Sequence, residues 1–421
     1  MRIASKRLRE EGASNTEWLE LGLRAALMAD ATEILEALLN SPDVVVAEDA
    51  KRSGEKRAGR QSKEVRSLFG TIRLERNYYY DAQSGTGRYP MDEALGLLNG
   101  YSAGVARLMC RAGGRDSYEQ GSGDLKAYAA IEVSARQINR LVDLVGAPLR
   151  AELEAEKVEV QTMAVPRMYI SCDGTGVPMR KDELEKTKGK AADGTAKTRE
   201  VKTGCVFTQH PVEGEDPFRD CESTSYIATL RRCDEFGLLL RKEAYRRGMG
   251  RAREVVFIAD GAAWIWEIVR TCFPGAVEIL DYYHAREYLG EIIDLLFGKD
   301  SKPGSEKLVY WKGLLFEDKI EEVIKEAREL VCLTHCDKKT GEAKINYLEN
   351  NKNRMKYGTC VKRGYFYGSG VVEAGCKSVI GKRTKQSGMF WSSQGVENVL
   401  AIRTALSSNR FDQYWDRKNA A

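Results

Sequence analysis

The stretch MYISCDGTGVPM, residues 168–179, decides the fold class of this chain. Its apolar first half predicts a β-strand, and the Asp173-Gly174 pair predicts that the strand ends there in a turn. A second apolar run, EVVFIA at residues 254–259, also ends in such a pair, Asp260-Gly261. Each pair predicts a carboxylate at a strand end, where a sheet can hold it rigidly.

The segments around these two strands extend the pattern. The periodicity predicts further strands and helices in the order strand 199–209, strand 223–230, helix 234–247, strand 254–259, helix 262–273 and strand 276–280. The last two strands are almost wholly apolar, as expected where helices cover both faces of a sheet. We therefore predict an α/β fold with an RNase H-like core, a mixed sheet flanked by helices. In such a sheet the first and fourth strands are neighbours, so Asp173 and Asp260 should meet.

The 421 residues are too many for one typical core, which indicates several domains. Residues 1–150 are expected to form a mostly helical DNA-binding region, because a strong apolar stripe at helical spacing covers residues 15–40. The catalytic core should occupy residues 165–285 and resume at 366–421. Residues 286–365 are charged, have helical periodicity, and are predicted to be a helical insertion before Glu373.

A basic segment runs from Lys51 to Arg66, with seven Lys and Arg against Glu55 and Glu64. Its glycines and serines predict a mobile loop. Such a loop suits phosphate contacts, and a solvated linker without a ligand explains the composition equally well.

A helix-turn-helix pattern lies near the end of the N-terminal region. Residues 124–131 and 135–144 are predicted to be short helices, with Ser134 as the N-cap of the second. Arg136, Gln137 and Arg140 on that second helix have side chains that read base edges or hold phosphates. Two ordinary helices, the second of them polar, fit the same pattern.

Phosphodiester cleavage without a covalent intermediate suits two divalent ions held by carboxylates, and Mg2+ prefers such hard oxygen ligands. Asp173, Asp260 and Glu373 are the candidate ligands, for two Mg2+ or Mn2+ ions. His284 follows the last predicted strand in the run Asp281-Tyr282-Tyr283-His284. Its imidazole could orient the nucleophile or move a proton, or it could be a structural histidine at a helix start.

Five blocks resemble the ISKra-type insertion-sequence transposases: SCDGTGVPM, REVKTGCVF, VVFIADGAAWIWE, ILDYYHAREYL and GSGVVEAGCKSVIGKRTKQSGMFWS. The resemblance implies a DDE transposase that binds terminal inverted repeats, cleaves DNA and transfers strands, with Asp173, Asp260 and Glu373 as its metal-binding catalytic residues. It implies double-stranded DNA as partner and at least a homodimer on DNA. Further DNA contacts are expected in the last block, at Lys377, Lys382, Arg383, Lys385 and Trp391. Relatives often carry a cysteine pair where this chain has Tyr78-Tyr79-Tyr80, so a zinc element there is not expected.

Two alternatives remain open from the sequence. The chain could be a catalytically silent, repressor-like DNA-binding remnant, or an RNase H-like nuclease with another biological role. Ten scattered cysteines, without a second pair of zinc ligands, indicate reduced thiols of a cytosolic protein. No run of about 20 apolar residues predicts a membrane helix and no secretory signal is recognised, so a bacterial cytoplasmic, nucleoid-associated location is expected.

Overall fold

The structure, a computed structural model, describes residues 16–41, 52–158, 165–185, 197–209 and 218–420. Lys51, part of the predicted basic loop, lies outside these residues. The chain divides into two compact units. The first ends at Leu149 and also contains the residues from Arg410 onward, and the second is Arg150–Asn409. The last helix, which the sequence analysis placed with the catalytic core, therefore groups with the N-terminal unit.

The first unit combines helices with a three-stranded antiparallel sheet of order β1-β2-β3. Its elements are α1 (Thr16–Asn40), β1 (Glu55–Arg66), β2 (Thr71–Asp81), β3 (Thr86–Arg88), α2 (Pro90–Ala94), α3 (Ala103–Arg115), α4 (Tyr118–Ala129), α5 (Ala135–Ala155, which continues into the second unit) and α16 (Phe411–Ala420). The predicted first helix is confirmed. Its apolar stripe is only partly covered, because Leu35 and Leu39 pack on the sheet core while Leu27 and Ile34 stay exposed.

The predicted mobile basic loop is wrong for the described residues, because Glu55–Arg66 is the strand β1. It pairs along its length with β2, from Glu55 opposite Asp81 to Arg66 opposite Thr71. An irregularity between Arg57 and Gly59 interrupts the register. The strand was missed because it lies at a sheet edge and is mostly exposed, so its sequence lacks apolar alternation.

The second unit contains a mixed five-stranded sheet and a long series of helices, and no described helix in the chain is long and apolar enough to cross a membrane. The strands are β4 (Val165–Pro178), β5 (Thr198–Gln209), β6 (Arg219–Thr229), β7 (Ala252–Ala259) and β8 (Val277–Leu280). The helices are α6 (Cys233–Arg246), α7 (Ala263–Cys272), α8 (Tyr282–Phe297), α9 (Lys302–Phe316), α10 (Ile320–Leu333), α11 (Lys338–Asn351), α12 (Tyr357–Lys362), α13 (Gly370–Gly375), α14 (Lys382–Thr384) and α15 (Ser393–Ser407).

The strand order of this sheet is β6-β5-β4-β7-β8. β4, β5 and β6 pair antiparallel, whereas β4 with β7 and β7 with β8 pair parallel. The register of β4 and β7 places Arg167 beside Glu254, and the Arg167 guanidinium donates to that carboxylate from Nε at 3.0 Å and from Nη2 at 2.9 Å. Tyr365 donates to the other carboxylate oxygen of Glu254 at 2.8 Å.

Helices cover both faces of the sheet, because alternate residues of each strand are apolar and buried on opposite sides. Met168, Ile170 and Cys172 of β4 join one core with α6 and α7. Tyr169 of β4 joins the other core, which α8 to α12 complete. The mixed sheet flanked by helices is thus confirmed. By the same alternation Asp173 belongs to the face of Tyr169, toward the later helices.

Candidate active site

Three aspartates follow one another across the sheet. The last parallel pair of β4 and β7 is Ser171 with Ile258, so continuing the register by two residues brings Asp173 beside Asp260. The last pair of β7 and β8 is Ala259 with Leu280, and the next residue, Asp281, donates its backbone N–H to Ala259 O at 2.7 Å. The expectation that Asp173 closes its strand is wrong, since β4 continues to Pro178 beside β5.

Asp173 is a half-buried carboxylate with a thiol beside it. Burial raises the pKa of Asp173 above its usual value, and the negative charge of Asp260 raises it further. A hydrogen bond from Cys376, the backbone N–H of Gly174 and the charge of His284 oppose this rise. Burial and the Asp173 charge in turn raise the pKa of the Cys376 thiol, so the thiol stays protonated and donates.

The loop after β7 fixes Asp260 from two sides. Its carboxylate accepts the N–H of Ala262 at 3.0 Å, and its carbonyl accepts the hydroxyl of Tyr347 at 2.5 Å. Gly261 has φ +93°, and a Cβ there would lie 2.4 Å from the Tyr347 hydroxyl oxygen. Only glycine meets both conditions. Tyr347 lies on α11, so a helix of the predicted insertion holds the Asp260 loop.

Asp281 is fully buried and caps α8. Its carboxylate accepts the backbone N–H of His284 at 2.9 Å and that of Ser369 through its other oxygen. His284 lies close enough to Asp173 for its charge to be felt there, and its Nδ1 is 3.5 Å from the Glu287 carboxylate. Asp281 thus positions the start of α8, and His284 faces the two aspartates.

Glu373 is placed through Ser369, whose hydroxyl donates to Glu373 Oε1 at 3.2 Å. Ser369 precedes α13, the helix that carries Glu373. Among the residues that the structure describes, no three His, Cys, Asp or Glu side chains stand together as a metal-holding group. Asp173 and Asp260, adjacent and partly buried, are donors of the kind that Mg2+ prefers. Glu373 is not joined with them in one ligand set.

A π-helix follows α13, from Cys376 to Gly381. Its wider turn leaves carbonyls without regular helical partners, and the Arg403 guanidinium donates to the carbonyls of Ser378 and Val379. Short π-helical turns are frequent at functional sites. Here the turn connects Glu373 and Cys376 to the basic residues after it.

Two of the expected DNA contacts after Glu373 are buried. Arg383 is fully buried with its guanidinium 4.9 Å from the Trp391 ring centre, and Trp391 donates from Nε1 to Thr384 O at 3.0 Å. The expectation that they contact DNA is therefore wrong, since their ring and guanidinium pack inside the unit. Lys377, Lys382 and Lys385 are exposed. Lys385 also donates to the Thr175 hydroxyl on β4.

The two predicted helices of the helix-turn-helix pattern are present as α4 and α5. Ser134 and Gln137 form a reciprocal cap, since Gln137 N–H donates to Ser134 Oγ at 3.3 Å and Ser134 N–H donates to Gln137 Oε1 at 2.8 Å. Gln137 therefore has a structural partner. Arg136 and Arg140 are exposed on the first turns of α5.

Sequence reasoning did not identify Cys376, Ser369 or Tyr347 as parts of this site. Cys376 lies three residues after Glu373, and that spacing on one helical face was the available signal. Ser369 stands four residues before Glu373, which also fits one helical turn. Tyr347 had no signal, because its contact with Asp260 spans 87 positions.

Comparison with known proteins adds a family without an assigned activity. Residues 8–194 match the model of an uncharacterised protein family, UPF0236. Two UPF0236 proteins of Caldanaerobacter subterraneus subsp. tengcongensis are 24% and 23% identical to this chain, each covering 88% of it and 73% and 74% of their own lengths. A solved structure, the Drosophila P element transposase strand transfer complex, is similar at 10% identity with a TM-score of 0.21, covering 76% of this chain and 82% of that one. The family match includes Asp173 and ends before Asp260 and Glu373.

Proposed function

We propose that this protein is a DDE-type DNA transposase with an RNase H-like catalytic domain. It would bind the terminal inverted repeats of an insertion sequence, cleave the ends and transfer the strands to target DNA. The observation that carries the proposal is the adjacency of Asp173 and Asp260 on neighbouring parallel strands. The strand order β6-β5-β4-β7-β8 and the resemblance to ISKra-type transposases support it.

The proposed metal ligands are Asp173, Asp260 and Glu373, with Mg2+ or Mn2+ as the ion. Such ions supply an activated water or hydroxyl and a stabilised leaving oxygen. Glu373 joins the two aspartates in this proposal by a movement of α13, whose first turn is held to Asp281 through Ser369. The raised pKa of Asp173, caused by burial and by the charge of Asp260, is the electrostatic cost that a cation there would offset.

The remaining residues of the site position and donate. Cys376 orients Asp173 through its thiol, and Tyr347 holds the backbone of Asp260. His284, beside Asp173, is placed to donate to a phosphate oxygen or to move a proton. The exposed Lys377, Lys382 and Lys385 would contact the phosphates of the strand that enters, and Arg136 and Arg140 those of the inverted repeat.

The test is cleavage of a labelled duplex that carries the boundaries of the element encoding the protein, with Mg2+ or with EDTA. We expect Mg2+-dependent nicking at the boundary, lost in Asp173→Asn. The matched control is Asp294→Asn, an exposed aspartate on α8. Binding without nicking would favour the repressor-like protein. Nicking that ignores the boundary and follows a DNA structure would favour the nuclease.

A further inference from the structure

A cavity of about 580 Å³ lies in the second unit beside the segment that precedes Glu373. Cavities of about 300–1,000 Å³ are the usual size of ligand sites. Its walls include Phe207, Tyr283, Phe366 and Tyr367, with Gly370 at the start of α13. None of these residues has a role in the chemistry proposed above, so the cavity needs its own explanation.

The walls of the cavity are largely aromatic. Tyr283 is 54% exposed, and its ring packs on Gly368, where a Cβ would lie 2.9 Å from Cε2 of the ring. Phe207 and Phe366 have ring centres 6.3 Å apart. The hydroxyls of Tyr283 and Tyr367 have no hydrogen-bond partner within the described part of the chain. Flat aromatic walls with free polar groups suit a planar heterocycle such as a nucleobase.

One cation lines the same cavity, Arg219 of the edge strand β6. Its guanidinium bonds to Tyr226 and lies 3.5 Å from the Cys221 sulfur. It forms no ion pair with any carboxylate of residues 16–41, 52–158, 165–185, 197–209 or 218–420. A guanidinium left without a carboxylate matches the geometry of a phosphate.

The cavity is linked to the candidate active site through short stretches of chain. Tyr283 directly precedes His284, and Gly370 stands three residues before Glu373. Tyr282 donates its backbone N–H to Tyr367 O at 2.9 Å, which fixes the cavity wall to the start of α8. A nucleotide held in the cavity would thus be a neighbour of one that reacts at Asp173.

We propose that this cavity binds one unstacked nucleotide of the DNA strand next to the cleaved bond. Its base lies against Tyr283 and Phe366, and its phosphate pairs with Arg219. The inference rests on the proposed DNA-cleaving function. A duplex does not bring a single scissile phosphate into a site on a sheet edge without local distortion, and holding one base out of the stack stabilises that distortion.

The first test uses 2-aminopurine deoxyribonucleoside 5′-monophosphate, whose fluorescence falls when it stacks on an aromatic ring. Gly370→Leu is the blocking variant, because a Cβ at Gly370 meets no atom within 4 Å and the side chain can occupy cavity space. Gly313→Leu, on the exposed side of α9, is the matched control with the same open surroundings. We expect saturable quenching by the wild type and the control, at least about tenfold weaker in Gly370→Leu.

A second pair of measurements checks the two halves of the nucleotide. Tyr283→Ala should weaken quenching without touching α13, and Arg219→Ala should abolish the preference for the nucleotide over the nucleoside. Absence of saturable quenching by the wild type, or equal quenching by all variants, would overturn the proposal.

Boundary DNA then identifies the source of the nucleotide. With the uncleaving Asp260→Asn protein, an abasic site at one position beside the cut should restore the binding that Gly370→Leu loses. Failure of every abasic position to restore it would overturn the assignment to a DNA strand and favour a free nucleotide. Quenching without any boundary cleavage would remove the transposase function and leave the nucleotide site, and cleavage without quenching would do the reverse.

Discussion

Ser369 donates its backbone N–H to the buried carboxylate of Asp281, and its hydroxyl to Glu373. One residue therefore connects the end of β8 with the helix that carries the third proposed ligand. Asp281 lies one strand beyond Asp260, so the position of Glu373 depends on the same sheet edge as the two aspartates.

Ser369→Ala removes the hydroxyl contact and keeps the backbone one. We expect boundary nicking to fall by about 10–100-fold, the usual loss when the partner of a metal ligand is removed. The melting temperature should change little. Ser305→Ala, which removes an exposed serine hydroxyl bond in α9, is the control. Nicking by Ser369→Ala at the control's rate would show that Glu373 does not depend on this serine.

Tyr347→Phe removes the hydroxyl that bonds to the Asp260 carbonyl. The lost bond leaves that carbonyl without its partner, so we expect about 1–3 kcal/mol of destabilisation, measured by urea unfolding. Nicking should fall as well, because the Asp260 loop loses an anchor. Tyr310→Phe, an exposed tyrosine on α9, serves for comparison. If both variants unfolded at the same urea concentration, the insertion would have no part in holding the loop.

The mixed sheet could be predicted from the sequence because its strands are buried and their apolar runs are long. β1 could not, since an exposed edge strand has no such run. The ends of strands were also misplaced: Asp173 lies inside β4 because the antiparallel neighbour β5 continues beside it. The neighbourhood of Asp173 and Asp260 followed from strand order. The contacts of Cys376 and Tyr347 did not, because they join residues about 90 to 200 positions apart.

Glu254 links pH to stability. Burial raises the pKa of Glu254, but the stronger combined effect of hydrogen bonds from Tyr365 and Arg167 holds it below its usual value. A lowered folded-state pKa gives stability that is present above the unfolded pKa and lost as pH falls through the folded one. Glu254→Gln should therefore destabilise the protein by about 1 kcal/mol at pH 7, for a partly exposed carboxylate with charged hydrogen bonds.

The difference between wild type and Glu254→Gln should shrink below about pH 4, where the carboxyl becomes protonated in the unfolded chain. Thermal unfolding from pH 3 to pH 8 measures it. A constant difference across that range would mean that Glu254 acts by packing and not by charge.

Arg383 and Lys382 are adjacent in sequence and should behave oppositely. Arg383→Ala removes a fully buried side chain that packs on Trp391, so we expect a loss of about 2–4 kcal/mol in unfolding free energy. Lys382→Ala should keep the stability within about 0.5 kcal/mol and weaken DNA binding. Titration of labelled DNA beside urea unfolding separates the two effects. Equal stability of the variants would contradict the buried position of Arg383.

Ser134 and Arg140 give a similar contrast in the first unit. Ser134→Ala breaks the cap of α5 and should cost about 0.5–2 kcal/mol of stability. Arg140→Ala should leave stability unchanged and lower the salt dependence of DNA binding by about one phosphate contact. Binding measured from 50 to 200 mM salt gives that slope. An unchanged slope would remove Arg140 from the DNA surface.

The π-helix from Cys376 to Gly381 contains, in effect, one residue more than a regular α-helix of the same rise. Removing one residue would restore regular geometry and turn everything that follows by about 100° around the helix axis. Lys382 and Lys385 would then face another direction relative to Glu373. The angle between the carboxylate and these lysines is therefore set by the number of residues between them and not by their identity. Replacing side chains one at a time leaves that angle unchanged, whereas a single deletion alters it.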